Sequence, residues 1–198
     1  MACGTQIADK GWLVEENVYA PPKAVVADVA SIRNNAEVRF FAVSPVKLVV
    51  MSACTLGLYQ IYWFYKHWVL IKERSEPDII PWGRAFFGIF WCYSCFEFIR
   101  NEERQLGVEP TLLAGPLAAG WIAVSLTWRL PEPYFVIGFL APLLLVPAQL
   151  HVNRINAVVA PDHDKNTRFS GWNWLTVVVG GIFLGLVVLG LAEKVKGA

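Results

Sequence analysis

Several groups of residues in this chain have types and spacings that could do chemistry. In "TLGLYQIYWFYKHW", Thr55 to Trp68, the side chains Tyr59, Tyr62, Trp63 and Lys66 fall at i, i+3, i+4 and i+7 and share one face of a helix. Such a face could cradle a lipid headgroup or a cationic ligand by cation–π contact. The same residues would also make an aromatic belt where hydrocarbon meets headgroups, with Lys66 reaching beyond it; Phe64 and Tyr65 on other faces suit a belt, which surrounds a helix. Cys92 and Cys95 form "CYSC" with both sulfurs on one helical face, the arrangement of a thiol–disulfide couple. A relay of that kind normally hands electrons to a second pair, and the other cysteines, Cys3 and Cys54, are far apart in sequence, so soft packing residues are the alternative. Glu97 is the one carboxylate inside an apolar stretch, a proton or cation site by default, but Arg100 three residues on offers an ion pair. "DHDKN", Asp162 to Asn166, begins like a calcium loop yet lacks its glycine, and Asn173 stands where the bidentate glutamate belongs. His151 and His163 have no HExxH or CxxC context, so no metal site is expected.

The elements that must carry these residues are apolar. Of 198 residues 56% are hydrophobic and 17% charged, against roughly 25% charged in a soluble domain, and the net charge of +1 gives no reason to expect a nucleic-acid partner. Residues 1–39 read as a flexible polar tail containing the turn "YAPPK", with no basic region followed by an apolar run that would mark a cleavable signal. From Phe40 the chain reads as an all-α, polytopic membrane domain of four to five hydrophobic helices over 40–198. The first, near 48–65, is uncharged between Lys47 and Lys66 and would be about 27 Å long, close to the roughly 30 Å of hydrocarbon to be crossed. The second, near 85–99, is short and aromatic and could cross tilted or lie at the interface. Segments near 111–128 and 134–150 form a proline-kinked hairpin around "RLPEP", and 172–192 is the clearest span. Gly181 and Gly185 make a GxxxG in that last helix, a place for close helix packing. Lys and Arg counts on the two sides reverse if 85–99 lies flat, which leaves the orientation open.

The stretch Thr55–Trp68 resembles the hallmark of a domain-of-unknown-function family of small bacterial inner-membrane proteins, whose first helix runs into a T-x-G-[IL]-Y-x-x-Y-W motif and a basic residue. Thr55, Gly57, Leu58, Tyr59, Tyr62, Trp63 and Lys66 match it. "ENVYAPPKAVVADV" is similar to the N-P-Y-x-P-P-type leader of such proteins, with Val18 in place of the usual proline. The resemblance implies a multi-pass protein of the bacterial inner membrane and brings no catalytic residues. The expected function is accordingly non-enzymatic and without a cofactor, acting through helix packing, contact with membrane lipids, self-association or a membrane protein partner. A small transporter or channel subunit using Glu97, and a membrane thiol oxidoreductase using Cys92 and Cys95, are the alternatives.

Overall fold

Thr55 and Gly57 break the first apolar stretch in two. The computed structural model describes residues 38–75, 78–107 and 109–197, with side chains placed through Glu193. The chain divides into two units, Met1–Asn35 and Ala36–Ala198, and the described residues belong to the second. The polar tail expected over 1–39 thus lies almost wholly outside them.

Helix α1, Pro45–Cys54, starts on Ser44, whose hydroxyl accepts from the Lys47 amide at 3.2 Å, with Pro45 in the first turn where its missing N–H costs nothing. It stops at a turn in which Leu56 has φ 53° and Gly57 φ 90°. The Gly57 amide donates back to Ser52 O at 2.8 Å, closing the helix end. Thr55 serves both sides of the joint: its hydroxyl donates to Met51 O at 2.7 Å and accepts from the Tyr59 amide at 2.9 Å, capping the next helix. That helix, α2, is Leu58–Arg74, and the chain has turned back to make it. The Phe41 ring meets the Tyr62 ring edge-on at 5.6 Å, and the Phe40 ring stacks on His67 at 5.8 Å. In a straight helix residues 41 and 62 would be about 31 Å apart. The single helix expected near 48–65 is therefore a folded-back pair. Because Gly57 holds a left-handed conformation that costs an L-residue about 1–2 kcal/mol, Gly57→Ala should lower the unfolding free energy by that amount, read in a denaturation curve, whereas Gly115→Ala, whose added Cβ meets nothing within 4 Å, should not.

The aromatic stretch near 85–99 is also divided. A short α3, Pro81–Phe86, lies against α2 and places the Arg84 guanidinium between the Trp68 and Trp91 rings, 4.7 and 4.3 Å from their centroids. Helix α4, Gly88–Gln105, continues well past Ile99 into charged sequence and runs alongside α2. Phe64 meets Phe96, Trp68 meets Phe98 and Arg74 meets Glu102 in ascending order. Helix α5, Ala114–Leu126, drives Trp121 into the core, where its indole N–H donates to Gln60 Oε1 at 2.8 Å. After a 3-10 turn at Thr127–Arg129, a 3-10 segment over Tyr134–Leu140 leads into α6, Ala141–Val159, so the expected 134–150 helix starts in a tighter coil and ends nine residues later. Helix α7, Gly171–Gly197, packs on α1.

Trp63, Phe64, Trp68, Phe96, Ile99 and Leu145 are fully buried where α2, α4 and α6 meet. No strand occurs among the described residues. Two stretches are long and apolar enough to cross a membrane, Tyr134–Val159, partly buried, and Gly171–Glu193, hardly buried at all. Apolar residues all round α7 are exposed, among them Trp172, Val178, Ile182, Leu186 and Leu189.

Candidate functional site

At one end of the bundle an extended stretch, Arg39–Ser44, is largely buried between α2 and α6 although it has no helix or strand to satisfy its peptide groups. Buried backbone N–H and C=O groups need partners, and here side-chain amides supply them. Gln149, Asn153 and Asn156 recur at i, i+4 and i+7 on α6 and so face the same way. Asn156 Nδ2 donates to Phe40 O at 2.8 Å, while its Oδ1 accepts from the amides of Arg39 and Phe40 at 3.0 and 3.2 Å. Gln149 Nε2 donates to Phe41 O at 3.3 Å and to Asn153 Oδ1 at 2.8 Å. Asn153 Nδ2 donates to Val43 O at 3.0 Å, and Asn166, from the loop after α6, donates to Ala42 O at 3.2 Å. Every carbonyl from Phe40 to Val43 is held by an Asn or Gln side chain, and Ser44 O accepts from the Leu48 amide at 2.9 Å.

Trp63 joins this ladder to the aromatic motif: its indole N–H donates to Gln149 Oε1 at 2.6 Å. His67 stacks on Trp63 at 3.9 Å between centroids and places Nδ1 2.9 Å from Trp63 O; its Nε2 is buried with no hydrogen-bond partner among the described residues. Around the ladder lie the charges. Glu102 pairs with Arg74 at 3.3 Å and Arg39 at 3.5 Å, and Arg74 also lies over the Phe40 ring. Glu103, wholly buried, is paired through Oε1 with His151 Nδ1, which joins α4 to α6. Lys47 is buried as well; its ammonium donates to Asn166 Oδ1 at 2.8 Å and Arg168 O at 2.7 Å and sits over the Phe169 ring, fastening the 160–170 loop to α1. The "DHDKN" residues thus serve the loop's own shape, Asp164 Oδ1 accepting from the Asn166 amide at 2.8 Å. Among the described residues no three His, Cys, Asp or Glu side chains are grouped to hold a metal.

Tyr59, Tyr62, Trp63 and Lys66 share a helical face but no common environment. Trp63 is completely buried, Tyr59 and Lys66 are half-buried, and Tyr62 is exposed, its ring 5.6 Å from that of Tyr59. Trp63 is a packing and hydrogen-bonding residue of the interior, whereas Tyr62 and Tyr65 are exposed. Glu97 is half-buried and accepts from Arg100 Nη2 at 2.6 Å, the i, i+3 ion pair of the plainer reading. Cys92 and Cys95 are free and buried. Burial pushes the Cys92 thiol up to about 11 and raises Cys95 as well, leaving little thiolate at neutral pH. Thiol trapping of the folded protein should find both reduced and slow to alkylate, and a Cys92–Cys95 disulfide in trapped samples would reverse that expectation. Among the described residues Gly181 and Gly185 do not mediate packing: a Cβ at either meets nothing within 4 Å, whereas at the neighbouring Gly180 it would collide with Cys54 O.

Of the ladder residues, Gln149, Asn153 and Asn156, like His67, were not singled out by sequence, and Asn166 was noted only as the end of "DHDKN". The available signal was three amides at helical spacing in a mostly apolar helix that also carries His151 and Arg154, since a polar side chain buried there needs a partner. Fold and site together define an all-helical protein with two helices apolar enough to span a membrane and a side-chain-bonded extended segment at one end. Comparison with known proteins matches the chain to no family model, no curated protein and no solved structure.

Proposed function

We propose that the chain is a multi-pass protein of the bacterial inner membrane that works without catalysis, through contacts with lipid and with other membrane proteins. The observation that carries this reading is α7, a 23-residue apolar stretch from Gly171 to Glu193 whose side chains are exposed on nearly every face. Such a helix is stable in water only if something covers it, and hydrocarbon covers it without a specific partner. The exposed aromatics Trp82, Phe86, Phe90, Trp91 and Tyr93 of α3 and α4 suit the headgroup boundary. Of the four to five hydrophobic segments, α7 and Tyr134–Val159 cross in this reading, the folded-back α1–α2 pair enters and leaves on one side, and α4 ends in water at Asn101–Gln105. The inner-membrane assignment leans on the resemblance of Thr55–Trp68 to a bacterial membrane motif. The pairing of Glu97 with Arg100 and the poor ionisation of the two buried thiols favour this reading over a transporter using Glu97 or a thiol oxidoreductase.

Membrane fractionation tests it. After expression with its full N-terminal region, the chain should stay in the pellet through alkaline carbonate and high salt and leave it only in detergent. Release by carbonate would mean that α7 is covered by protein, and the reading would fall.

A further inference from the structure

Gln60 stands in the apolar first half of α2, one turn beyond Gly57, and is 7% exposed. Its oxygen is in use: the Trp121 indole, which can only donate, points at Oε1 from 2.8 Å. That bond turns the amide nitrogen the other way, toward Gly57, where an added Cβ would stand 3.4 Å from Nε2. Among the described residues Nε2 has no acceptor. Gln60 instead lines a cleft of about 240 Å³ between α2, the junction of α3 with α4, and α5. The amide nitrogen is thus a buried donor, held in place by Trp121 and aimed at empty space, and a donor in that position needs an acceptor.

The depth of the cleft narrows the choice of acceptor. Gly180, against which the Cys54 backbone rests, lies about 14 Å along α7 from Gly171 and about 20 Å from Glu193. With α7 across the membrane, the turn at Thr55–Gly57 stands near the middle of a hydrocarbon layer roughly 30 Å thick, and Gln60 with it. Water is absent at that depth, and the ester carbonyls of phospholipids lie at its two boundaries. The acceptor must therefore belong to a molecule dissolved in the hydrocarbon itself. No charged side chain lines the cleft, so that molecule is neutral. Phe64, Trp121 and Trp128 give the cleft aromatic walls, and the exposed Leu58, Ile61 and Phe86 at its rim open it sideways to lipid. A closed cavity of about 150 Å³ takes a benzene ring, so this larger, open cleft takes a ring with its substituents.

We propose that this cleft binds a neutral ring carbonyl dissolved in the membrane, the class to which quinones and aryl ketones belong, with the carbonyl oxygen accepting from Gln60 Nε2. The proposal rests on the membrane reading above. Its test uses the full chain in phosphatidylcholine vesicles with benzophenone, an aryl ketone that crosslinks from its carbonyl on near-ultraviolet illumination, followed by peptide mapping. Leu58, Ile61 and Ser125 of the cleft should be labelled more heavily than the exposed Val178 and Val188 of α7. Fluorenone should displace the label at about tenfold lower concentration than fluorene, the same rings without the oxygen, a margin of one hydrogen bond. Gln60→Met removes the donor and should lower labelling about tenfold and erase the preference for fluorenone. Because that variant also leaves the Trp121 indole without its acceptor, a second one guards against misfolding. Ser125→Phe fills the cleft from the half-buried face of α5 and keeps the Gln60–Trp121 bond, so labelling should fall as far while the unfolding midpoint stays near the parent's. Equal displacement by fluorene and fluorenone, unchanged labelling in Ser125→Phe, or cleft residues labelled no more than Val178 and Val188 would overturn the proposal. Release of the chain by carbonate is a separate result and would remove the membrane reading itself.

Discussion

Asn156→Leu is expected to be among the most damaging single substitutions in the domain. The side chain is fully buried and satisfies three backbone groups at once, the amides of Arg39 and Phe40 and the carbonyl of Phe40. Leucine has a similar volume and leaves all three without partners. Each orphaned group costs roughly 1–3 kcal/mol, so after local relaxation the loss should be about 3–5 kcal/mol. Unfolding of the purified protein in detergent would show it as a large drop in midpoint, and hydrogen exchange would show the Arg39 and Phe40 amides losing protection first. Asn153→Leu, at a half-buried position that frees the Val43 carbonyl, should cost less and fold even if Asn156→Leu does not. An unchanged midpoint in both would mean that the amide ladder does not hold the extended segment.

The second large effect is expected at Gly180. A Cβ there would collide with Cys54 O and lie 2.7 Å from Cys54 C, and neither is the movable end of a side chain. In Gly180→Val, α7 must therefore shift away from α1, with an overpacking cost of about 1–3 kcal/mol. Cys54, half-buried beneath the contact, then becomes accessible, and its alkylation by a membrane-permeant maleimide should speed up severalfold. Gly181→Val and Gly185→Val point into open space and should leave both stability and Cys54 labelling as in the parent. Equal behaviour of the three variants would show that α7 does not rest on Gly180.

What the sequence made legible was whatever depends on composition within one segment. The all-round apolarity of α7 is a property of its own residues, whereas the charged half of α4 beyond Ile99 carries no hydropathy signal and does not read as helix. The reversal at Thr55–Gly57 was harder, because a hydropathy window over Leu48–Tyr65 is the same whether the chain runs straight or doubles back. The local stop signal was present in Gly57, preceded by a threonine able to cap a second helix. Read as helix ends, Thr55 and Gly57 of the motif are its hinge, and Trp63 is the anchor that ties the returning helix to Gln149. The GxxxG at Gly181 and Gly185 misled by one residue: the spacing rule identifies small side chains, but only the neighbour's position decides which glycine is pressed, and that is Gly180. The site itself was illegible because its pairs join residues far apart in the chain, and a run with one amide in every three or four positions still averages as apolar.

That separation also sets an order of events. The bonds from α6 to the extended segment connect residues 108 to 117 positions apart, and at 5–20 residues per second the ribosome needs roughly 5–20 s to travel from one to the other. During that interval the peptide groups of Arg39–Val43 lack these partners, and water must serve them. Only when Gln149, Asn153 and Asn156 arrive can the segment leave water for the interior. The part of the domain synthesised first is thus among the last to be fastened.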